Sequence, residues 1–232
     1  MAQYPDPPAT IEITTGTEPS HTVIWMHGLG ADGSDFVPIV QMLHLPTAVS
    51  LRFLFPHAPL RPVSINGGLR MRAWYDIKQA KLDENEDESG LRASEQTIST
   101  LIEQENQRGI TADQIVLVGF SQGGAMALQT GLRYPDRLAG MMALSAYLPL
   151  ANIALQEAHP ANRRTPIFMA HGEHDPIVPI DLAIASRQHL RAGHYAVEWH
   201  QYPMAHTICD QELTDISKWL TKILRKLIFE NY

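Results

Sequence analysis

Ile115-Val116-Leu117-Val118-Gly119-Phe120-Ser121-Gln122-Gly123-Gly124 is the stretch on which the reading of this chain turns. Four consecutive Ile, Val and Leu residues suit a strand buried on both faces, and the residues from Gly124 to Leu132 suit a helix. Between them lies a G-x-S-x-G pentapeptide, Gly119 to Gly123. In a strand–turn–helix setting this motif forces its serine onto a sharp turn, with the hydroxyl out at the top of a sheet. Glycines on either side leave room for the tight backbone and for an approaching substrate. The helix N-terminus behind it sets free N–H groups and the positive end of a dipole beside any negative charge that develops. Ser121 therefore reads as a nucleophile.

Outward from this point, short apolar runs alternate with amphipathic segments, which predicts βα units and a mostly parallel sheet with helices on both faces. The expected strands are Ile11 to Thr14, Thr22 to Met26, Leu51 to Phe55, Ile115 to Val118, Gly140 to Leu144, Pro166 to Ala170 and Val197 to Tyr202. The expected helices are Ser34 to Leu43, Leu91 to Arg108, Gly124 to Leu132, Asp181 to Leu190 and Gln211 to Leu227. In the last, Leu213, Ile216, Leu220, Ile223, Leu224 and Leu227 recur at helical spacing, the mark of a helix packed on a sheet. No repeat or linker divides the chain, so residues 1–232 are expected to form one α/β domain. The segment from about 56 to 90 is irregular by pattern. It ends in the acidic run Asp83 to Glu88, expected to be a solvated loop.

Composition narrows the function. A 44% hydrophobic, 19% charged chain of 232 residues is globular, and a net charge of −7 argues against a nucleic-acid partner, which needs a basic face. With Cys209 as the lone cysteine there is no internal disulfide and no cysteine-based zinc site, a usage that fits a reducing compartment. MAQYPDPPAT lacks the basic and apolar regions of a signal peptide, and no apolar stretch approaches the ~20 residues of a membrane span. The expectation is a cytoplasmic protein without stable membrane insertion.

A serine nucleophile needs a base, and the base needs an orienting acid. When the serine sits on such a turn, the chain order is Ser, then Asp or Glu, then His. Of 11 histidines, His189, His194, His200 and His206 follow a suitable acid. His206 alone follows a strand and a turn and precedes the last helix, which makes it the candidate base. Asp175 follows the Pro166 to Ala170 strand, held between turn residues Gly172 and Pro176, and is the candidate acid. Glu173 ranks next, while Asp181 has the position of a helix N-cap. The two N–H donors of an oxyanion hole are expected from Gln122, the residue after the nucleophile, and Leu29, in the glycine-rich loop after Met26.

Three rival readings touch these same residues. Gly28, Gly30 and Gly33 spell G-x-G-x-x-G, but a dinucleotide site needs an acid about 20 residues on. None lies between Asp35 and Asp76, and only Arg52, toward a 2′-phosphate, keeps an NAD(P)-dependent oxidoreductase in view. His171 and His174 beside Asp175 lack a third ligand at a recognisable spacing, so no metal is expected. A catalytically inactive interaction protein would have little reason to keep all five parts of a hydrolytic site.

The chain resembles the carboxylesterase/acyl-protein thioesterase branch of the α/β-hydrolases. The resemblance rests on His27-Gly28-Leu29-Gly30, Pro56-His57-Ala58-Pro59, Asn66-Gly67-Gly68 through Trp74-Tyr75-Asp76, Gly119 to Gly124, His171-Gly172 with Asp175 and Val178-Pro179, and Tyr202-Pro203-Met204 with His206. It implies a single α/β-hydrolase domain, a Ser121–Asp175–His206 triad, Leu29 and Gln122 as oxyanion donors, and no cofactor. It also favours a homodimer. Ala31-Asp32 departs from the Asp-Thr of thioesterase-like members, and Met71 to Asp76 resembles the bacterial esterase side. The expected activity is therefore hydrolysis of a small carboxylic ester, with thioester or lysophospholipid hydrolysis by the same residues as the alternative. Ile65, Leu69, Met71, Trp74 and Val178, with Leu29, are the expected lining of a short- to medium-chain acyl pocket.

Overall fold

The computed structural model describes residues 8–46 and 49–229, with side chains to residue 224. The expectations for the first seven residues and for the Leu227 side chain lie outside that range. In chain order the elements begin with β1 (Thr10–Thr14), β2 (His21–Met26), a 3-10 turn (Gly33–Phe36), α1 (Ile39–Met42) and β3 (Leu51–Pro56). Next come β4 (Leu60–Val63), β5 (Leu69–Arg72), α2 (Glu88–Gln107), β6 (Ile115–Phe120) and α3 (Gln122–Arg133). The chain continues through β7 (Gly140–Leu144), α4 (Ala151–Glu157), β8 (Ile167–Gly172), α5 (Ile180–Ala192), β9 (Val197–Tyr202) and α6 (Asp210–Phe229).

Seven strands form one sheet in the order β1-β3-β2-β6-β7-β8-β9. Only the edge strand β1 runs antiparallel, against β3. Each of the seven expected strands is present, because an apolar run flanked by turn residues is a local signal. Side chains alternate across the sheet, so Val23 and Trp25 pack on one face with Ile216 and Leu220 of α6. Ile24 and Met26 pack on the other with Ile98 of α2 and Met126 of α3. Parallel strands covered on both faces read as continuous apolar runs, and β2 and β6 do so here.

Four expectations need correction. The helix expected over 34–43 is a 3-10 turn followed by a single α-turn, since Pro38 between them has no N–H to continue the ladder. The 56–90 region contains an antiparallel hairpin, β4 with β5, in which Val63 pairs with Leu69. Pro62 and four-residue strands hid it, and Gly67 and Gly68 turn the chain with φ of +66° and +80°. The acidic run is not merely solvated. Glu86 accepts the Leu150 N–H at 3.0 Å, where Leu150 holds a left-handed conformation ahead of α4. Asp87 caps α2 at Gly90 and accepts the Asp76 N–H at 2.9 Å. Asp181 does not cap α5, which starts at Ile180 with Pro179 at the cap; it lies within the first turn.

Among the described residues no helix is long and apolar enough to cross a membrane. Arg52, the residue that kept a dinucleotide in view, is buried and paired with Glu105 at 2.7 Å and Glu12 at 3.1 Å. The glycine-rich loop leads into a 3-10 turn rather than a helix with a phosphate-binding N-terminus.

Candidate active site

The loops that follow β2, β6, β7, β8 and β9 meet at the carboxyl ends of these parallel strands, where open α/β sheets place their ligands. Ser121 joins β6 to α3, at the helix N-cap, with φ +56° and ψ −122°, a conformation that strains any residue but glycine. The turn is closed so tightly that both flanking glycines are obligatory. A Cβ on Gly119 would collide with the Gly123 backbone, and one on Gly123 would sit 2.5 Å from the Met26 carbonyl carbon and 2.7 Å from the His27 oxygen. The Ser121 N–H is held by the Leu144 carbonyl at 2.8 Å, and its side chain makes no capping bond to α3.

His206 and Asp175 are brought together across 31 residues of sequence, with His206 Nδ1 at 2.7 Å from Asp175 Oδ2. A carboxylate only accepts, so Nδ1 carries the proton and Nε2 is free to take one. The His206 ring packs on Phe120, centroids 4.7 Å apart, which sets the imidazole beside the residue preceding Ser121. Asp175 is itself fixed: its Oδ1 accepts the N–H groups of Ile177 at 2.8 Å and Val178 at 2.9 Å. His171, wholly buried beneath, donates Nε2–H to the Val178 carbonyl at 2.8 Å and lies 3.4 Å from Asp175 Oδ2. Burial holds His171 below the usual histidine range. Of the other histidines weighed, His200 pairs with Glu198 on β9 and stacks on Phe168, away from Ser121's turn.

Gln122 begins α3, so its backbone N–H is one of those a helix leaves unpaired. Leu29 follows Gly28, which approaches Ser121 so closely that a Cβ there would be 3.3 Å from the serine Cβ. The orientation of this loop comes from His27. Its Nε2 accepts the Ala58 N–H at 3.0 Å, so Nδ1 is the protonated nitrogen and donates to the Gly28 carbonyl at 2.7 Å. In a trans peptide the carbonyl of Gly28 and the N–H of Leu29 point in opposite directions. Holding the first toward the buried ring turns the second away from it. Desolvation depresses the His27 pKa, which keeps the ring neutral in this role.

A cavity of about 390 Å³ opens beside Ser121, within the size range of small-molecule sites. Leu29, Ile65 and Val178 line it, as expected. Leu69, Met71 and Trp74 do not. Leu69 is 63% exposed on β5, and the Met71 sulfur lies against Gly30. Trp74 is fully buried, donates Nε1–H to the His27 carbonyl at 2.9 Å and packs on the His27 ring, so it supports the loop from behind. Its neighbour Tyr75 lines the cavity instead, together with Ile77, Leu82, Tyr147 and Ile177. Sequence reading missed Tyr147, although it lies just past the end of β7, where a ligand-facing loop is expected.

A strained serine on a strand–helix turn, an Asp–His pair packed on the residue before it and backbone N–H groups at a helix start are the parts of a serine hydrolase. Residues 9–224 match the phospholipase/carboxylesterase family, and the chain belongs to it. Among its relatives, acyl-protein thioesterase 1 of Gibberella zeae is 39% identical over 225 residues, spanning 93% of this chain and 96% of its own. Acyl-protein thioesterase 1 of Neurospora crassa is 41% identical over 216 residues, 89% of this chain and 88% of its own. The crystal structure of Zea mays acyl-protein thioesterase 2 superposes with a TM-score of 0.82 at 29% identity, covering 94% of this chain and 99% of that one.

Proposed function

We propose that this chain hydrolyses acyl thioesters, and by the same route oxygen esters of short to medium acyl chains, through an acyl-enzyme at Ser121. The observation that carries this reading is the placement of Ser121 on a strained turn at an apolar cavity, with the His206–Asp175 pair packed against Phe120. The oxygen ester was the first expectation from sequence. Relatives named acyl-protein thioesterase, 39 and 41% identical over nine tenths of the chain, favour the thioester.

In the first step His206 takes the Ser121 proton on Nε2 as Oγ attacks the acyl carbonyl. The N–H groups of Leu29 and Gln122 receive the oxyanion, and Asp175 stabilises the imidazolium. Collapse of the tetrahedral species expels the leaving group. An alcohol needs the proton that His206 returns as it leaves, whereas a thiol, with a pKa of about 8.5, departs readily as thiolate and takes that proton afterwards. The imidazole is neutral again in either case. Water then attacks the acyl-enzyme with the same base and releases the acid.

The test is phosphonate labelling beside turnover of matched oxygen esters and thioesters of one acyl chain. Labelling should fall on Ser121, and Ser121→Ala should abolish it and lower kcat by up to ~10⁶, the loss known for another serine hydrolase. Substantial labelling of the alanine variant would remove Ser121 from the role. A clear excess of kcat/KM for the oxygen ester, with leaving groups of matched acidity, would return the assignment to a carboxylesterase.

A further inference from the structure

Five side chains lining the cavity carry polar atoms: Asn66, Tyr75, Ser121, Gln122 and Tyr147. Ser121 is the proposed nucleophile. Gln122 has both ends of its amide engaged, accepting from the Trp74 N–H and donating to the Tyr75 carbonyl. Asn66 lies exposed, its amide turned to the Met71 sulfur at 3.4 Å. The two phenols remain. Their oxygens are 3.1 Å apart in a buried hydrogen bond, with Tyr75 1% and Tyr147 3% exposed.

Two hydroxyls that share one hydrogen bond use one proton and leave the other without an acceptor, whichever phenol donates. Neither phenol makes a second hydrogen bond among the described residues. Glu86, the carboxylate whose charge reaches both rings, has its oxygens turned to the Leu150 N–H at 3.0 and 3.1 Å. Burial raises the pKa of both phenols, so both keep their protons at neutral pH. A buried O–H in a native protein is completed by a protein group, an ordered water or a bound molecule. Tyr75 and Tyr147 also border a small space under the 76–86 segment, whose other lining includes Ile77, Leu82, Glu84 and Glu86. The spare proton thus belongs to the wall at which the acyl cavity meets that segment.

We propose that the pocket is built for an acyl chain bearing an oxygen acceptor, such as a keto or hydroxyl group, that pairs with the free hydroxyl of the Tyr75–Tyr147 couple. This rests on the acyl-hydrolase reading and names its substrate class. Every other side chain lining the acyl cavity itself is apolar, exposed or already engaged, so a plain saturated chain offers the phenols no acceptor from that side.

The experiment compares 4-nitrophenyl octanoate, and its thioester, with oxo-octanoate isomers whose ketone moves one carbon at a time from the fifth carbon outward. A ketone accepts but cannot donate, and at that distance it does not activate the scissile carbonyl. One position, or two adjacent ones, should raise kcat/KM about 2- to 12-fold over octanoate, the worth of one net hydrogen bond. The double variant Tyr75→Phe with Tyr147→Phe should lose this preference, read as the ratio of oxo-octanoate to octanoate kcat/KM within the variant itself, and keep phosphonate labelling of Ser121. A flat positional profile in the unaltered enzyme overturns the proposal without need of the variant, as does a preference that survives in the double variant. Loss of all turnover and labelling in the unaltered enzyme would instead refute the hydrolase reading beneath it.

Discussion

Replacing Gln122 by alanine separates two roles that one residue combines. Its backbone N–H, the proposed oxyanion donor, survives any substitution but proline. Its side chain, 4% exposed, accepts the Trp74 N–H at 2.7 Å and donates to the Tyr75 carbonyl at 2.8 Å. It thereby ties the start of α3 to the strip of chain that holds Trp74 behind the His27 loop and Tyr75 in the cavity wall. Gln122→Ala leaves a donor and an acceptor of that strip without partners. Each buried unpaired group costs about 1–3 kcal/mol, and water entering from the adjoining cavity recovers part of it, so a loss of ~2–4 kcal/mol is expected. Denaturant unfolding with a check on the m-value reads this loss. Phosphonate labelling of Ser121 should persist, while KM for an octanoyl substrate should rise more than KM for an acetyl one, because Tyr75 lines the cavity proposed for the acyl chain. Gln122→Glu keeps the acceptor for Trp74 but sets a carboxylate oxygen against the Tyr75 carbonyl. It should be at least as damaging at neutral pH and recover on acidification. A stability loss below about 0.5 kcal/mol for Gln122→Ala, or an equal fall in turnover of both substrates, would refute the reasoning.

Gly123→Ala should be worse for activity than for folding. The new Cβ meets backbone atoms of Met26 and His27 that have no rotamer to yield, so a loss at the upper end of ~1–3 kcal/mol is expected with a shifted oxyanion loop. A variant with unchanged melting and unchanged kcat would show that the turn has slack. The pH dependence of stability should be limited from both sides. Glu212, wholly buried at the start of α6, is pushed up to about 8 by burial, against a smaller downward pull from the Cys209 backbone N–H. From near 4.5 to 8 the unfolded chain has lost a proton that native Glu212 keeps, so this group's contribution to stability falls as pH rises, by up to ~1.4 kcal/mol per unit. Above 6.5, where His27 and His171 no longer oppose it, Glu212 sets the slope. Glu212→Gln should flatten this slope in melts from pH 5 to 8; an unaltered slope would place its cause elsewhere. On the acid side, burial depresses His27 and His171 below 6.5, so there the unfolded state binds more protons and stability falls as pH falls.

The parallel sheet, the serine turn and the order of its partners were legible in the chain because each is written locally. An apolar run such as Ile115 to Val118 reports burial on both faces, and Gly119 and Gly123 report a backbone too close for any Cβ. Asp175 and His206 stood out as the candidate acid and base because both lie in loops after strands, on the one edge where a parallel sheet presents its strand ends, and the fold pairs them. The wall of the cavity was not legible in this way. Trp74 and Tyr75 are consecutive and both aromatic, yet one packs under the His27 loop and the other faces the cavity. Tyr147 joins that wall from beyond β7, and Ile177 from the loop that holds Asp175. Glu86 and Asp87 read as solvated charge until the N–H groups of Leu150 and Asp76 were brought to them. A turn or strand expresses the preferences of a few neighbouring residues, whereas the surroundings of one side chain depend on segments that only the folded chain brings within reach.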